Sequence, residues 1–313
     1  MLTFLGLFIL VSGCFIRSAN PETFEQIAAR TYFPSQQDFP SSSYPYITGA
    51  GVRETCDHKL DPITRLACDS VKPGDTVFVV STFLDYFFSE CHPHLPPYIL
   101  VTHHFYATSD DDFPGAYADY LDDDKLIAWF THNPDRIHPK LYPMPIGIGD
   151  TSCYPGNKKG LIDLYAPRAT HHKKKMYMNF TRENHSERAY VYDLFKDNPL
   201  CDVSPYKNIE RYFLDLAEFA FVLSPRGNGL DCFRTWEALH MGAFPIVKSS
   251  ALDPLFTDLP VIIINDWTDI TYDFLTKHYQ ELVSRGDYRW EKLYLPYYLE
   301  QIVGLQKKYR IKN

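Results

Sequence analysis

Residues 219–248 read FAFVLSPRGNGLDCFRTWEALHMGAFPIVK. Ala220 to Leu223 is an apolar run short enough for a buried strand. Pro225, Gly227, Asn228 and Gly229 then break the pattern. Asp231 suits the N-cap of a helix that Gly242 ends, and Phe244 to Val247 form a second buried strand. A strand, a glycine-rich turn and a helix in this order place backbone N–H groups where the helix dipole also favours an anion. Arg226 stands before the helix and Arg234 in its first turns, and arginine suits bidentate phosphate binding. Glu237 follows Arg234 by three residues, on the same helix face. Cys232, Trp236 and Leu239 fall on the other face, toward a core. The turn has neither the Gly-Lys-Ser/Thr ending of a P-loop nor the G-x-G-x-x-G spacing of a dinucleotide fingerprint. It reads as a diphosphate cradle built from Arg226, Gly227, Asn228, Gly229 and Arg234, with Glu237 one turn deeper and able to accept from a ribose. A plain strand-to-helix connection is the bland alternative, which the two arginines and the carboxylate weigh against.

The same block, SPRGNGLDCFRTWEAL followed by Gly242 and PIVK, resembles the signature of exostosin-like glycosyltransferases of family 47. Weaker similarity extends upstream. His138 to Gly149 (HPKLYPMPIGIG) resembles that family's approach between domains, and Lys175 to Arg188 (KMYMNFTRENHSER) the first strand and helix of its second domain. The resemblance covers roughly residues 75–265, and the 224–248 block is its specific part. It implies an α/β fold of GT-B type, two Rossmann-like domains facing each other across a cleft that holds a nucleotide-sugar, here a UDP-sugar, with inversion at the sugar. Arg226 and Arg234 would face the donor diphosphate and Glu237 the ribose. Many relatives carry His where this chain has Phe233, so that position receives no chemical role.

Bulk composition agrees with a two-domain globular protein. The 313 residues suffice for two cores, and 45% apolar with 22% charged residues excludes a disordered chain. A formal net charge of −8 argues against a nucleic-acid partner held by a general basic surface. The partners expected are a nucleotide-sugar donor and a glycan or other hydroxyl acceptor. A non-catalytic nucleotide- or glycan-binding relative is the competing reading, separated from the enzyme by turnover.

Residues 1–19 form a signal or anchor segment. Leu2 to Ile16 is shorter than the ~20 residues of a membrane span and fits the apolar region of a secretory signal, although a basic leading segment is missing. Val11 to Cys14 also matches a bacterial lipobox, and an apolar first strand is the remaining alternative. Export or membrane association through the N-terminus is therefore expected. Seven cysteines are too few for a disulfide scaffold of this length, and in an exported protein Cys56 and Cys68 are candidates to pair.

Along the chain, a short helix is expected near Glu22–Ala29. Residues 20–150 form the acceptor-side domain, with strands at Thr76–Val80, Tyr98–Thr102, Leu126–Phe130 and Met144–Ile148 and helices at Thr82–Cys91 and Ala116–Leu121. Gly149 to Arg168 reads as the hinge. Residues 170–313 form the nucleotide-sugar domain, with strands at Lys175–Phe180, Ala220–Leu223, Phe244–Val247 and Val261–Ile264. Its helices are expected at Ser186–Phe195, Tyr212–Phe219, Tyr272–Ser284 and Trp290–Gln306, the last crossing back to the first domain as in GT-B proteins. Alternating strands and helices predict parallel pairing.

An inverting transfer needs a general base near the acceptor hydroxyl. It should follow a first-domain strand, which leaves His103, His104, Asp85 and Asp110 as candidates, with His132 and Asn133 placed for sugar contacts. Asp110–Asp112 and Asp122–Asp124 are read as solvated loop acids. The arginine pair and the helix dipole supply the positive charge a cation would supply, so no essential metal or other cofactor is expected.

Overall fold

The structure, a computed structural model, describes residues 22–30, 43–104, 112–149, 157–171, 173–204 and 208–312. The signal or anchor segment and Asp110 lie outside the described residues. Among the described residues, ten strands form two five-stranded parallel sheets. In the first, β1 (His58–Leu60), β2 (Thr76–Val79), β3 (Tyr98–Thr102), β4 (Leu126–Thr131) and β5 (Leu141–Pro143) lie side by side in chain order. The second contains β6 (Lys173–Met178), β7 (Cys201–Val203), β8 (Phe219–Leu223), β9 (Phe244–Lys248) and β10 (Ile262–Ile264), in the order β10-β9-β8-β6-β7. The chain thus turns back on itself between β6 and β8. In doubly wound sheets, ligands bind outside the carboxyl ends of the strands at such a reversal.

Central strands covered on both faces read as unbroken apolar runs. Every residue of β3 and β8 is buried. On β8, Phe221 and Leu223 enter a core with Met176, Ile246 and Trp267, while Phe219 and Val222 belong to a second cluster with Phe213 and Leu216. Helices Ser186–Phe195 and Tyr272–Ser284 stand where the sequence places them.

Other elements differ. The strand that pairs with Trp129–Thr131 at the edge of the first sheet is β5, Leu141–Pro143, rather than the expected Met144–Ile148. The Met144–Ile148 run is buried even so, held by Met144 N–H donating to Thr131 O and Ile148 N–H to Ile47 O. Edge strands β1 and β7 and the helix Gly49–Thr55 were not anticipated. The presumed hinge contains a helix, Lys158–Tyr165, started by the Asn157 side chain accepting from Gly160 N–H. The expected helix at Tyr212–Phe219 runs from Ile209 to Glu218, leaving Phe219 to β8. The C-terminal helix spans Leu295–Lys312, with a separate turn at Trp290–Leu293 before it.

The signature helix, Phe233–His240, packs on the core of the first sheet. Trp236 and Leu239 join the core beneath the first sheet, together with Leu295, Tyr298 and Ile302 of the last helix. That helix also donates from Gln306 Nε2 to Gly74 O at 2.9 Å. Full burial of a large apolar side chain is worth about 1.5–3 kcal/mol, so Trp236 and Leu239 anchor the β8–β9 unit against the first domain. Among the described residues no helix is long and apolar enough to cross a membrane.

Candidate functional site

The site is built on the loop after β8, at the carboxyl end of the sheet beside β6. Ser224 leaves the strand still laddered, its N–H donating to Ile246 O, and its hydroxyl lies 2.8 Å from that of Thr235. Arg188, buried on helix Ser186–Phe195, supports the loop from below. Its Nε donates to Arg226 O at 3.0 Å and its Nη2 to Cys232 Sγ at 3.4 Å. A Cβ on Gly227 would sit 2.5 Å from Arg188 Nη2. A Cβ on Gly229 would collide with the Asn133 amide. Both glycines are therefore required by close approach, one to its own domain and the other to the facing one.

Asp231 joins the two domains. Its carboxylate accepts from Ile146 N–H at 2.7 Å across the interface, and from Cys232 N–H at 2.8 Å and Trp236 Nε1 at 2.8 Å within its own helix start. Its own N–H donates to Asn133 Oδ1 at 2.9 Å. Cys232 is the N-cap residue by backbone geometry, with the Asp231 side chain serving its N–H. Complete burial pushes the Asp231 carboxyl up to about 7 in spite of these three donors. A carboxyl raised above its unfolded value holds its proton in the folded state, so its contribution is complete below about pH 4 and is lost as pH rises toward 7. We expect stability in denaturant titrations to fall over that window relative to Asp231→Asn, and the difference to level off above it.

The two arginines sit on either side of the turn. Arg234 Nε donates to Asn179 O, just beyond β6, at 2.8 Å, and its guanidinium lies 5.2 Å from the Phe180 ring centre. Arg226 Nη2 reaches Asp112 Oδ2 at 3.0 Å and Asn228 O at 3.2 Å. Asp112 is thus no solvated loop acid: it spans from the first domain to the cradle. Asn228 itself is exposed. Arg226 Nε and Arg234 Nη1 are buried without a hydrogen-bond partner among the described residues. Leaving a buried charged donor unsatisfied costs more than a neutral one, and two such donors flank one loop.

Glu237 lies deeper and is buried. Lys158 Nζ donates to its Oε1 at 2.5 Å and Tyr212 Oη to its Oε2 at 2.9 Å. Lys158 also stands 5.3 Å from the Phe233 ring centre. Lys158 enters the site from a distant segment with no motif of its own, and Arg188 and Asp112, in segments the sequence marked for other reasons, join the cradle unannounced.

From the first sheet, His103 and His104 follow β3, and His132 and Asn133 follow β4. His103 donates from Nε2 to Pro145 O at 2.8 Å, which ties it to the backbone. His132 lies 5.0 Å from His103, ring to ring, and burial, then the neighbouring imidazoles, hold its pKa well below the usual value. His104 meets Phe233 edge-on at 5.2 Å. These histidines therefore converge on the start of the signature helix. Asn133, considered for sugar contacts, is buried and engaged with Asp231. Asp85 is exposed and accepts from Tyr117 Oη at 2.9 Å, apart from the histidine contacts. In the second acidic cluster, Asp123 accepts from His92 at 3.2 Å. No group of three or more metal-ligating side chains occurs among the described residues.

A pocket of about 330 Å³, bordered by His171, Gly242, Trp290 and Tyr294, opens at the opposite end of the signature helix. It contains neither arginine and is not the anion site. No protein-family model matches the chain, and no curated protein matches it.

Proposed function

We propose that the protein is an inverting glycosyltransferase of GT-B architecture, which transfers a sugar from a UDP-sugar to a hydroxyl of a glycan or similar acceptor in a secretory lumen or cell envelope. The observation that carries this reading is the pair of buried, unpartnered arginine N–H groups, on Arg226 and Arg234, at the reversal of the second sheet. The uridine of the donor follows the resemblance of residues 224–248 to exostosin-like enzymes. In the reaction, the acceptor hydroxyl attacks the anomeric carbon as its proton passes to the base, and the bond to the β-phosphate oxygen breaks. Arg226, Arg234 and the helix start take up the charge that develops on the leaving diphosphate. Glu237, oriented by Lys158 and Tyr212, faces the ribose. The base comes from the first domain, and His104 is the best placed, because His103 is tied to Pro145 O and His132 is fully enclosed.

Two consequences are measurable. Asp112 occupies Arg226 and must release it for a diphosphate, so Asp112→Asn should tighten UDP binding by about two- to fivefold, the worth of a partly exposed ion pair. With cationic side chains opposite the leaving group, turnover of a working donor should survive excess EDTA. Complete loss with EDTA, restored by manganese, would assign the acidic clusters to the site instead.

The direct test is UDP release from a panel of UDP-sugars with and without glycan acceptors. Acceptor-dependent release supports the enzyme. UDP binding with no release from any donor supports the non-catalytic relative, a reading favoured by one observation: the apolar Phe233 ring stands between His104 and Lys158.

A further inference from the structure

Two Asn-x-Ser/Thr tripeptides follow one another after β6, Asn179-Phe180-Thr181 and Asn184-His185-Ser186, and no other with x different from proline occurs in the sequence. This pattern is the acceptor motif for N-linked glycans in exported proteins. The fold places the two differently. The first is locked beside the cradle. Asn179 O accepts from Arg234 Nε at 2.8 Å and Thr181 O from Arg188 Nη1 at 3.4 Å, and both guanidinium groups lie over the Phe180 ring, at 5.2 Å and 5.9 Å. The Asn179 side-chain nitrogen donates at 3.0 Å to the hydroxyl of Tyr177, which is buried and itself donates to Asp215 Oδ2. The second tripeptide lies outside that packing. Asn184 ends the short turn Arg182–Asn184 and Ser186 opens the helix Ser186–Phe195, and both are exposed. His185 between them has an extended backbone, with φ −159° and ψ 146°.

We propose that Asn184 is an N-glycosylation site and that Asn179, in the folded protein, is not. The inference rests on the secretory-lumen reading given above, because the modification needs an oligosaccharide transferase of that compartment and its lipid-diphosphate-linked oligosaccharide. In the step, Asn184 Nδ2 forms a bond to C1 of the first sugar while the bond from C1 to the diphosphate oxygen breaks. The amide gives up one proton to a base of the transferase, and the lipid diphosphate leaves. Ser186 supplies the hydroxyl that completes the motif. An attached glycan is bulky and solvated, so it needs a side chain that already faces water. Asn184 meets that requirement. On Asn179 the first sugar would be bonded to a nitrogen only 3.0 Å from the hydroxyl of the buried Tyr177, in the residue whose carbonyl holds Arg234. Accommodating it there would open the end of β6. A chain modified at Asn179 as it enters the lumen could not close this packing, so the folded protein carries its glycan at Asn184, on the turn that leads into the helix of Arg188.

The test uses the full chain with its own N-terminus, expressed in eukaryotic secretory cells. Its compartment is read from secretion into the medium and from protection against added protease in intact vesicles. Folded protein is then treated with peptide N-glycosidase in heavy-oxygen water, which leaves a labelled aspartate wherever a glycan stood, and is mapped by mass spectrometry. The expected result is a single mobility shift removed by the glycosidase, with label at position 184 and none at position 179. The shift should be lost in Asn184→Gln and in Ser186→Ala, kept in Ser186→Thr, and unaffected by Thr181→Ala. Secreted or protected protein without label at position 184, or folded protein labelled at position 179, would overturn the assignment and leave the compartment standing. Protein that stays in the cytosol, digested without detergent, would overturn the compartment and the glycan with it.

Discussion

Arg234→Ala is expected to weaken UDP binding about 10- to 150-fold without unfolding the protein. The size follows from losing a charge-assisted hydrogen bond worth about 1.5–3 kcal/mol. In the structure, Arg234 is held by Asn179 O through Nε and by the face of Phe180, while Nη1 is buried without a partner among the described residues. The anchored half of the guanidinium fixes the direction of the other half, so a diphosphate meets a donor that has already lost its freedom. Arg234→Lys should recover little, because an ammonium cannot keep the Asn179 bond and offer a second fixed donor. Calorimetry with UDP decides the matter: an unaltered affinity in a folded Arg234→Ala protein would remove the arginine from the cradle.

His104→Gln is expected to lower turnover by about 10²-fold or more, the usual worth of a general base, with UDP affinity changed less than about threefold. The two readouts separate chemistry from donor binding. His104 follows β3 and meets Phe233 at the start of the signature helix. His103, Asp85 and Asp110 enter the same assay one at a time. His103→Gln should act on stability, since its Nε2 bond to Pro145 O is lost. Normal turnover in all four variants would move the base elsewhere. Collapse of UDP binding in them would end the division of labour between domains.

How far the sequence could be read depended on how local each contact is. Helices Ser186–Phe195 and Tyr272–Ser284 were legible because side chains next to them in sequence cap them, His185 onto Glu187 N–H and Thr271 onto Phe274 N–H. Strand β8 was legible because both its faces are buried and its run is apolar throughout. Edge strands β1 and β7 were not, since HKL and CDV are three residues each with a charged middle. The Met144–Ile148 run satisfied an apolar pattern, but its N–H groups beyond Met144 go to distant partners, Ile146 to Asp231 and Ile148 to Ile47 O.

The site divides in the same way. Arg226, Gly227, Gly229 and Arg234 share one turn and were read directly from it. Lys158 on Glu237, Asp112 on Arg226 and Asn133 on Asp231 each join residues far apart in the chain. No spacing rule reaches that distance. Asp231 shows the limit within one residue: its position beside the helix start was legible, its bond to Ile146 across the interface was not.

The most direct measurement is a crystal structure of the complex with UDP. The diphosphate is expected at the loop after β8, bonded to Arg226 and Arg234, with Asp112 displaced from Arg226. UDP bound instead in the pocket beside Trp290 and Tyr294, or at the cradle without contact to either arginine, would contradict it.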